Sequence, residues 1–237
     1  MNCSLSKKEI VYIENKFKFD NLLSFISDQD EEASEEEMLN KRIIEQRFGK
    51  IILCAPYLLL FSAWNSMKYV IDVFDPEGSQ EYILYNSEYI ICYRDNGDNI
   101  TFVFKPYSFD VLKKILEKKL IIANSSFESK SIYKKTSLEN HKKMCTDYAL
   151  ENLDEWANQM NIAKETLVEY FSILTDETQE CYLLRVSDCK LMNECLFKII
   201  EKDNCFYVVN YITKNDKKEV EMLIGNFEFI MKAINIC

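Results

Sequence analysis

The sequence predicts an α+β protein of two quasi-repeated halves, each an antiparallel sheet flanked by helices. One observation is internal similarity. Gln80-Glu81-Tyr82-Ile83-Leu84 matches Gln179-Glu180-Cys181-Tyr182-Leu183, Asp95-Asn96 matches Asp203-Asn204, and Phe109-Asp110-Val111-Leu112 matches Phe227-Glu228-Phe229-Ile230. The offsets rise in order, as small insertions in surface loops would make them. A second observation is that strand-like alternation comes in clusters and does not alternate singly with helices, which points away from a parallel α/β sheet. Third, each cluster is closed by an amphipathic helix. The expected organisation is a first half over 1–123, a connecting segment over 124–136 and a second half over 137–237.

Ser6 and Glu9 have capping-box spacing and open a helix with Ile10, Ile13 and Phe17 on one face, and Leu22, Leu23 and Ile26 predict a short second helix. The acidic stretch over 28–37 reads as a solvated loop leading to a second cap, Ser34 with Glu37, in preference to an interaction tail. A helix over 38–48 should stop at Gly49. The apolar run over 51–64 contains Pro56, falls short of the roughly 20 residues that span a bilayer, and is expected to be a buried helix carrying Tyr57, Leu60 and Trp64. From Tyr69 the period becomes that of strands, over 69–74, 82–85, 89–93 and 100–104, with Asn96-Gly97 marking a tight hairpin. Ser108 caps a helix over 109–118. The second half reads as helices over 138–160 and 164–174, strands near 180–187, 192–201, 204–213 and 217–224, and a closing helix over 227–236.

Composition narrows the function classes. With 237 residues, 48% apolar, the chain can bury a large core. A net charge of -10 repels phosphate backbones and anionic membranes, so nucleic acid is disfavoured as a partner and no stable membrane insertion is expected. Arginine is confined to Arg42, Arg47, Arg94 and Arg185, which leaves few bidentate anion clamps. Nine cysteines without a C-x-x-C pair or a secretory signal fit free thiols and a cytoplasmic protein.

Catalytic chemistry finds little material. The single histidine, His141, lies beside Lys142 and Lys143 at a polar helix start, where an exposed imidazole lacks both a pocket and an orienting partner. Four glycines and no phosphate-loop pattern leave no recognisable nucleotide cradle. Cys181, Cys189, Cys195 and Cys205 are spaced for separate strands and lack the close pairs of a zinc knuckle, so they read as small core residues, and no metal or cofactor is expected. Carboxylates such as Asp72 and Asp75, or Glu151, Asp154 and Glu155, are too numerous for one acid/base pair to stand out.

An aromatic-rich stripe at helical spacing, Tyr148, Leu153, Trp156 and Met160 followed by Leu167, Tyr170 and Phe171, is the one candidate binding feature. Core packing is the default for any single member. The functional reading is that Tyr148, Trp156, Met160, Leu167, Tyr170 and Phe171 contribute to an apolar groove for a partner helix, exposing roughly 400 Å² or more in the free protein.

The segments Leu5-Ser6-Lys7-Lys8-Glu9-Ile10 and Met38-Leu39-Asn40-Lys41-Arg42-Ile43-Ile44, and the helix from Pro56 to Trp64 leading into strands, resemble the N-terminal half of the EspG-type chaperones of type VII (ESX) secretion. The resemblance implies an EspG-like fold and a cytosolic, non-enzymatic protein that keeps a helical secretion substrate soluble, with contacts on the helices of the second half and a sheet loop. Ala63-Trp64-Asn65-Ser66 lacks the glycine of a W-x-G substrate turn, which fits a helper better than a secreted helical hairpin. The expected function is therefore a chaperone or adaptor. The alternative is an immunity protein that neutralises a toxin, followed by an enzyme using dispersed carboxylates or thiolates.

Overall fold

A computed structural model describes residues 1–19, 31–120, 132–188, 193–202, 205–214, 217–225, 227 and 231. The protein is α+β, with antiparallel strands flanked by helices. It divides into two compact units, Met1–Val70 with Gln80–Leu112, and Ile71–Ser79 with Lys113–Cys237.

In the first unit, β1 (Asn2–Ser6) runs into α1 (Lys7–Phe17) without a loop. Ser6 ends the strand and caps the helix: its hydroxyl accepts from the Glu9 amide at 3.3 Å, and the Glu9 carboxylate accepts from the Ser6 amide at 2.6 Å. Glu9 is buried, and Lys41 reaches its other oxygen at 2.6 Å. The described part of the acidic stretch, from residue 31, packs along α1, with Lys8 bonded to Glu31, Asn15 to Glu32, and Tyr12 and Lys16 to Glu35. Ser34 then caps α2 (Glu35–Asn40) as expected.

The helix predicted over 38–48 stops at Asn40. A hairpin follows, β2 (Ile44–Arg47) and β3 (Lys50–Leu53), with Phe48 and Gly49 as its two-residue turn. β-branched pairs on both sides, Ile43-Ile44 and Ile51-Ile52, favour extended backbone and outweigh the helical spacing of the apolar residues. The apolar run over 51–64 is accordingly split. Its first part is β3 and the rest is α3 (Ala55–Trp64), with proline in the first turn. Leu60, Phe61, Ala63 and Trp64 of α3 are buried, and Trp64 packs on Tyr93 and Phe102 at 5.1 and 5.9 Å between ring centroids.

After β4 (Tyr69–Phe74), the strands β5 (Gln80–Tyr85), β6 (Tyr89–Asp95) and β7 (Asn99–Pro106) match expectation. The β6–β7 turn is tight, but its two central residues are Gly97 and Asp98, since the Asn96 amide donates to the Asn99 carbonyl. With Gly97 alone at positive φ, 85, it is a glycine-first turn and not the type I′ Asn-Gly turn that the dipeptide predicts. Ser108 caps α4 (Phe109–Lys119). The first unit's strand order is β1-β7-β6-β5.

The second unit repeats this plan. β8 (Ile132–Ser137) occupies the end of the stretch expected to connect the halves, and it leads directly into α5 (Leu138–Ala149) through Ser137, whose hydroxyl accepts from the Asn140 amide at 3.1 Å. The single helix expected over 138–160 is two, α5 and α6 (Asp154–Met160), because Glu151 adopts a left-handed φ of 58 between them. α7 (Lys164–Thr175) precedes β9 (Tyr182–Asp188), β10 (Asn193–Lys202), β11 (Cys205–Lys214) and β12 (Lys217–Gly225). Strand order here is β4-β9-β10-β11-β12-β8. Phe227 and Met231 are helical and buried; the remainder of the predicted closing helix, like the one expected at Leu22, Leu23 and Ile26, lies outside the described residues.

The halves are repeated, but in a different register from the sequence matches. Order along the sheet makes β8 equivalent to β1, β12 to β7, β11 to β6 and β10 to β5. Gln80–Leu84 lies in β5 and therefore does not correspond to Gln179–Leu183 at β9. The Asp95-Asn96 turn, between β6 and β7, corresponds to the β11–β12 connection and not to Asp203-Asn204. Strands share a two-residue alternation, so sliding a meander by one whole strand leaves the pattern intact. The Phe109 and Phe227 match survives, since each follows the last strand of its unit.

Cys3, Cys54, Cys92, Cys145, Cys181 and Cys205 are free, while Cys195 is disulfide-bonded, which departs from the expectation that every thiol is free. No helix among the described residues is long and apolar enough to cross a membrane.

Replacing either junction serine should cost similar stability. Ser6→Ala and Ser137→Ala are each expected to destabilise by about 1 kcal/mol in denaturant unfolding. Unchanged unfolding midpoints would show that the caps do not anchor the helices.

Candidate functional site

The helical layer of the second unit holds the stripe, and the structure separates its members by depth. Leu167, Tyr170 and Phe171 of α7 are almost wholly inaccessible, packed with Met144, Leu153 and Ala157 against Val209, Val220 and Met222 of the sheet. The Tyr170 hydroxyl donates to the Val208 carbonyl at 3.0 Å, and burial drives its ionisation well above the ordinary tyrosine range. These three belong to the core in the free protein and are not an exposed groove; helical periodicity alone does not distinguish the two settings. Tyr148, Trp156 and Met160 are half-buried at the edge of the same core. Tyr148 stacks on Phe171 at 5.7 Å, and the Trp156 indole N–H donates to Asp147.

Beside them opens a cavity of about 530 Å³ lined by Tyr148, Ala149, Glu151, Leu153, Lys164 and Val168. Two apolar residues absent from the predicted set stand exposed here or next to it. Val168 belongs to the lining and is 39% exposed, and Leu150, between two lining residues, is 71% exposed. Val168 lies one position from the buried Leu167, and a helical wheel centred on Leu167, Tyr170 and Leu174 would have set it apart. Leu150 carried no such signal, because its exposure follows from the α5 terminus that Glu151 imposes. Lys164 at the rim is held by Asp154 at 2.7 Å.

His141 departs from the exposed position expected of it. It is buried on α5, its ring 5.8 Å from both Phe171 and Tyr211. Its Nδ1 lies 3.8 Å from the Cys145 sulfur, and Nε2 has no hydrogen-bond partner among the described residues. Burial lowers the imidazole pKa and raises that of the Cys145 thiol. Both groups are thereby held neutral, the opposite of the depressed thiolate pKa that activates a cysteine nucleophile.

Among the buried carboxylates, Asp72 is perturbed. Burial raises its pKa, Arg185 opposes the rise, and the Arg185 Nε donates to its carboxylate at 2.7 Å. A buried carboxylate closed by a guanidinium from the neighbouring strand β9 joins two strands and offers no free base. Cys181 and Cys205 pack on the core edge, and no three potential ligands among the described residues converge as a metal site would require.

No protein-family model matches the chain, and no curated protein matches it. Among solved structures it is similar to the Mycobacterium tuberculosis type VII secretion system chaperone EspG5, determined in complex with the PE25–PPE41 dimer. The alignment covers 99% of this chain and 95% of that one, with a TM-score of 0.64 and 6% sequence identity. The fold is EspG-like. The resemblance read from the sequence thus holds at the level of fold over nearly the whole chain, while so low an identity carries no residue-level correspondence.

Depth within the stripe sets the expected variants. Tyr170→Ala should destabilise by about 3–5 kcal/mol, as large aromatic truncations in cores do, whereas Leu150→Ala should fall within about 0.5 kcal/mol of wild type. Equal effects in thermal unfolding would contradict this placement.

His141 predicts an acid-sensitive stability. Its folded pKa lies below the ordinary 6.5, so the unfolded chain binds the proton first. Stability contributed by the neutral ring is complete above the unfolded value and declines as pH falls from there through the folded value. His141→Phe should flatten that slope in pH-dependent unfolding, and an unchanged slope would show that other groups govern it.

Proposed function

We propose that the protein is a non-enzymatic chaperone or adaptor that binds a helical secretion substrate, in the cytoplasm, through the helical layer of its second unit. The likeness in fold to EspG5 over 99% of the chain carries this reading. The cavity between α5 and α7 supports it, since half-buried Tyr148 and exposed Val168 meet a charged rim there. Apolar anchors within a polar border are how helices dock into grooves. Of the predicted contacts, Tyr148, Trp156 and Met160 would touch the partner, while Leu167, Tyr170 and Phe171 support them from the core beneath. The acidic surface keeps the free chaperone from self-associating.

Co-expression with small helical proteins encoded beside this gene is the direct trial. A complex should purify from wild type, and Leu150→Glu with Val168→Glu should abolish it while the chaperone stays folded. Retention of the partner by the double variant would move the site elsewhere. Neutralisation of a neighbouring toxin would replace the chaperone role with that of an immunity protein.

A further inference from the structure

The tip of the β2–β3 hairpin breaks three local rules together. Phe48 takes a φ of 50 and Gly49 a φ of 72, the turn in which asparagine or aspartate ordinarily precedes glycine and a bulky aromatic is strained. The Phe48 side chain is fully exposed, at 102%. Arg47 stands directly opposite Lys50, a like-charge pair across the ladder, eased by Glu45 bonding to Arg47 at 2.9 Å. Each choice weakens folding, and asparagine at position 48 would relieve the first two. Strained and exposed features of this kind, kept by an otherwise consistent scaffold, gather where a surface meets a ligand.

We propose that this tip is a peripheral membrane-docking element that sets Phe48 into the interfacial layer of an anionic lipid surface, with Arg47 and Lys50 against the headgroups. Charge supports that occupant. Glu45 to Lys50 carry two cations and one carboxylate, Glu45 paired with Arg47 behind the turn, which leaves the tip net positive in a chain whose net charge is -10. Shape supports it as well. A stable protein contact buries about 800 Å² on each partner around a packed centre, more than a two-residue turn presents. A lipid interface accepts a single aromatic ring without a complementary surface, and basic residues near it are attracted to anionic headgroups. The acidic remainder of the chain opposes approach at long range, but charges beyond about 8 Å are screened at physiological salt, so the tip governs contact. Binding is therefore modest, salt-sensitive and dependent on headgroup charge. This surface is independent of the chaperone reading and of the α5–α7 cavity.

Vesicle flotation of the full chain tests it. Wild type should float with an equal mixture of phosphatidylcholine and phosphatidylserine, lose that association at high salt, and stay behind with phosphatidylcholine alone. Phe48→Asn should reduce binding about tenfold, the scale set by burying one aromatic side chain. The same variant should raise the thermal midpoint, because Asn-Gly suits the turn; a residue kept for structure would lower it. Arg47→Glu with Lys50→Glu should remove the headgroup dependence. Wild type failing to float with the mixed vesicles, or Phe48→Asn floating equally well, overturns the proposal. Phe48-dependent self-association in sedimentation velocity without vesicle binding also overturns it, assigning the tip to a protein contact.

Discussion

In both units the sheet is joined to its first helix by one serine, and the rest of the arrangement depends on that junction. Ser6 and Ser137 hold extended backbone, at φ -70 and -73, while their hydroxyls satisfy amides of the first helical turn. An extended residue that also caps a helix lets the chain leave the sheet without a loop. Because β1 pairs with β7 and β8 with β12, the junction falls on the last strand of each unit's strand order, and α1 packs beside β1 and α5 beside β8 and β12. In the second unit α5 packs against β12 and α7 against β11, which closes the core around Tyr170 and leaves the cavity beside Tyr148 at the layer's outer side.

Much of the fold was legible because it is local. The Ser6 capping box, the Ser34 and Ser108 caps, the presence of a tight turn at Gly97 and the strands of both meanders each follow from a few adjacent residues. What escaped was set by competition or by distance. β1 and β8 are short edge strands whose pairing partners lie far along the chain, so nothing local marked them. The β2–β3 hairpin was hidden because Met38, Ile43 and Ile44, buried residues of the helix, turn and strand, also fit helical spacing. The repeat was visible in outline but one strand out of register, and the Ser-to-helix junctions would have been the better anchor for aligning it.

The candidate site divides in the same way. Periodicity found the stripe, and the core assignment of Leu167, Tyr170 and Phe171 followed from which side of α7 meets the sheet, a tertiary fact. His141, followed by Lys142 and Lys143, reads as exposed, yet the face of α5 that carries it with Met144 turns inward. Neutral His141 and Cys145 and an Asp72 closed by Arg185 offer no activated nucleophile or free base at these three positions.

Hydrogen exchange on the chain, alone and with a helical partner encoded beside it, addresses the central claim most directly. The account predicts slowed exchange across 148–168, the stretch that builds the cavity and its exposed apolar residues, with the first unit's meander unchanged. Protection confined to the first unit, with 148–168 exchanging as in the free chain, would contradict it.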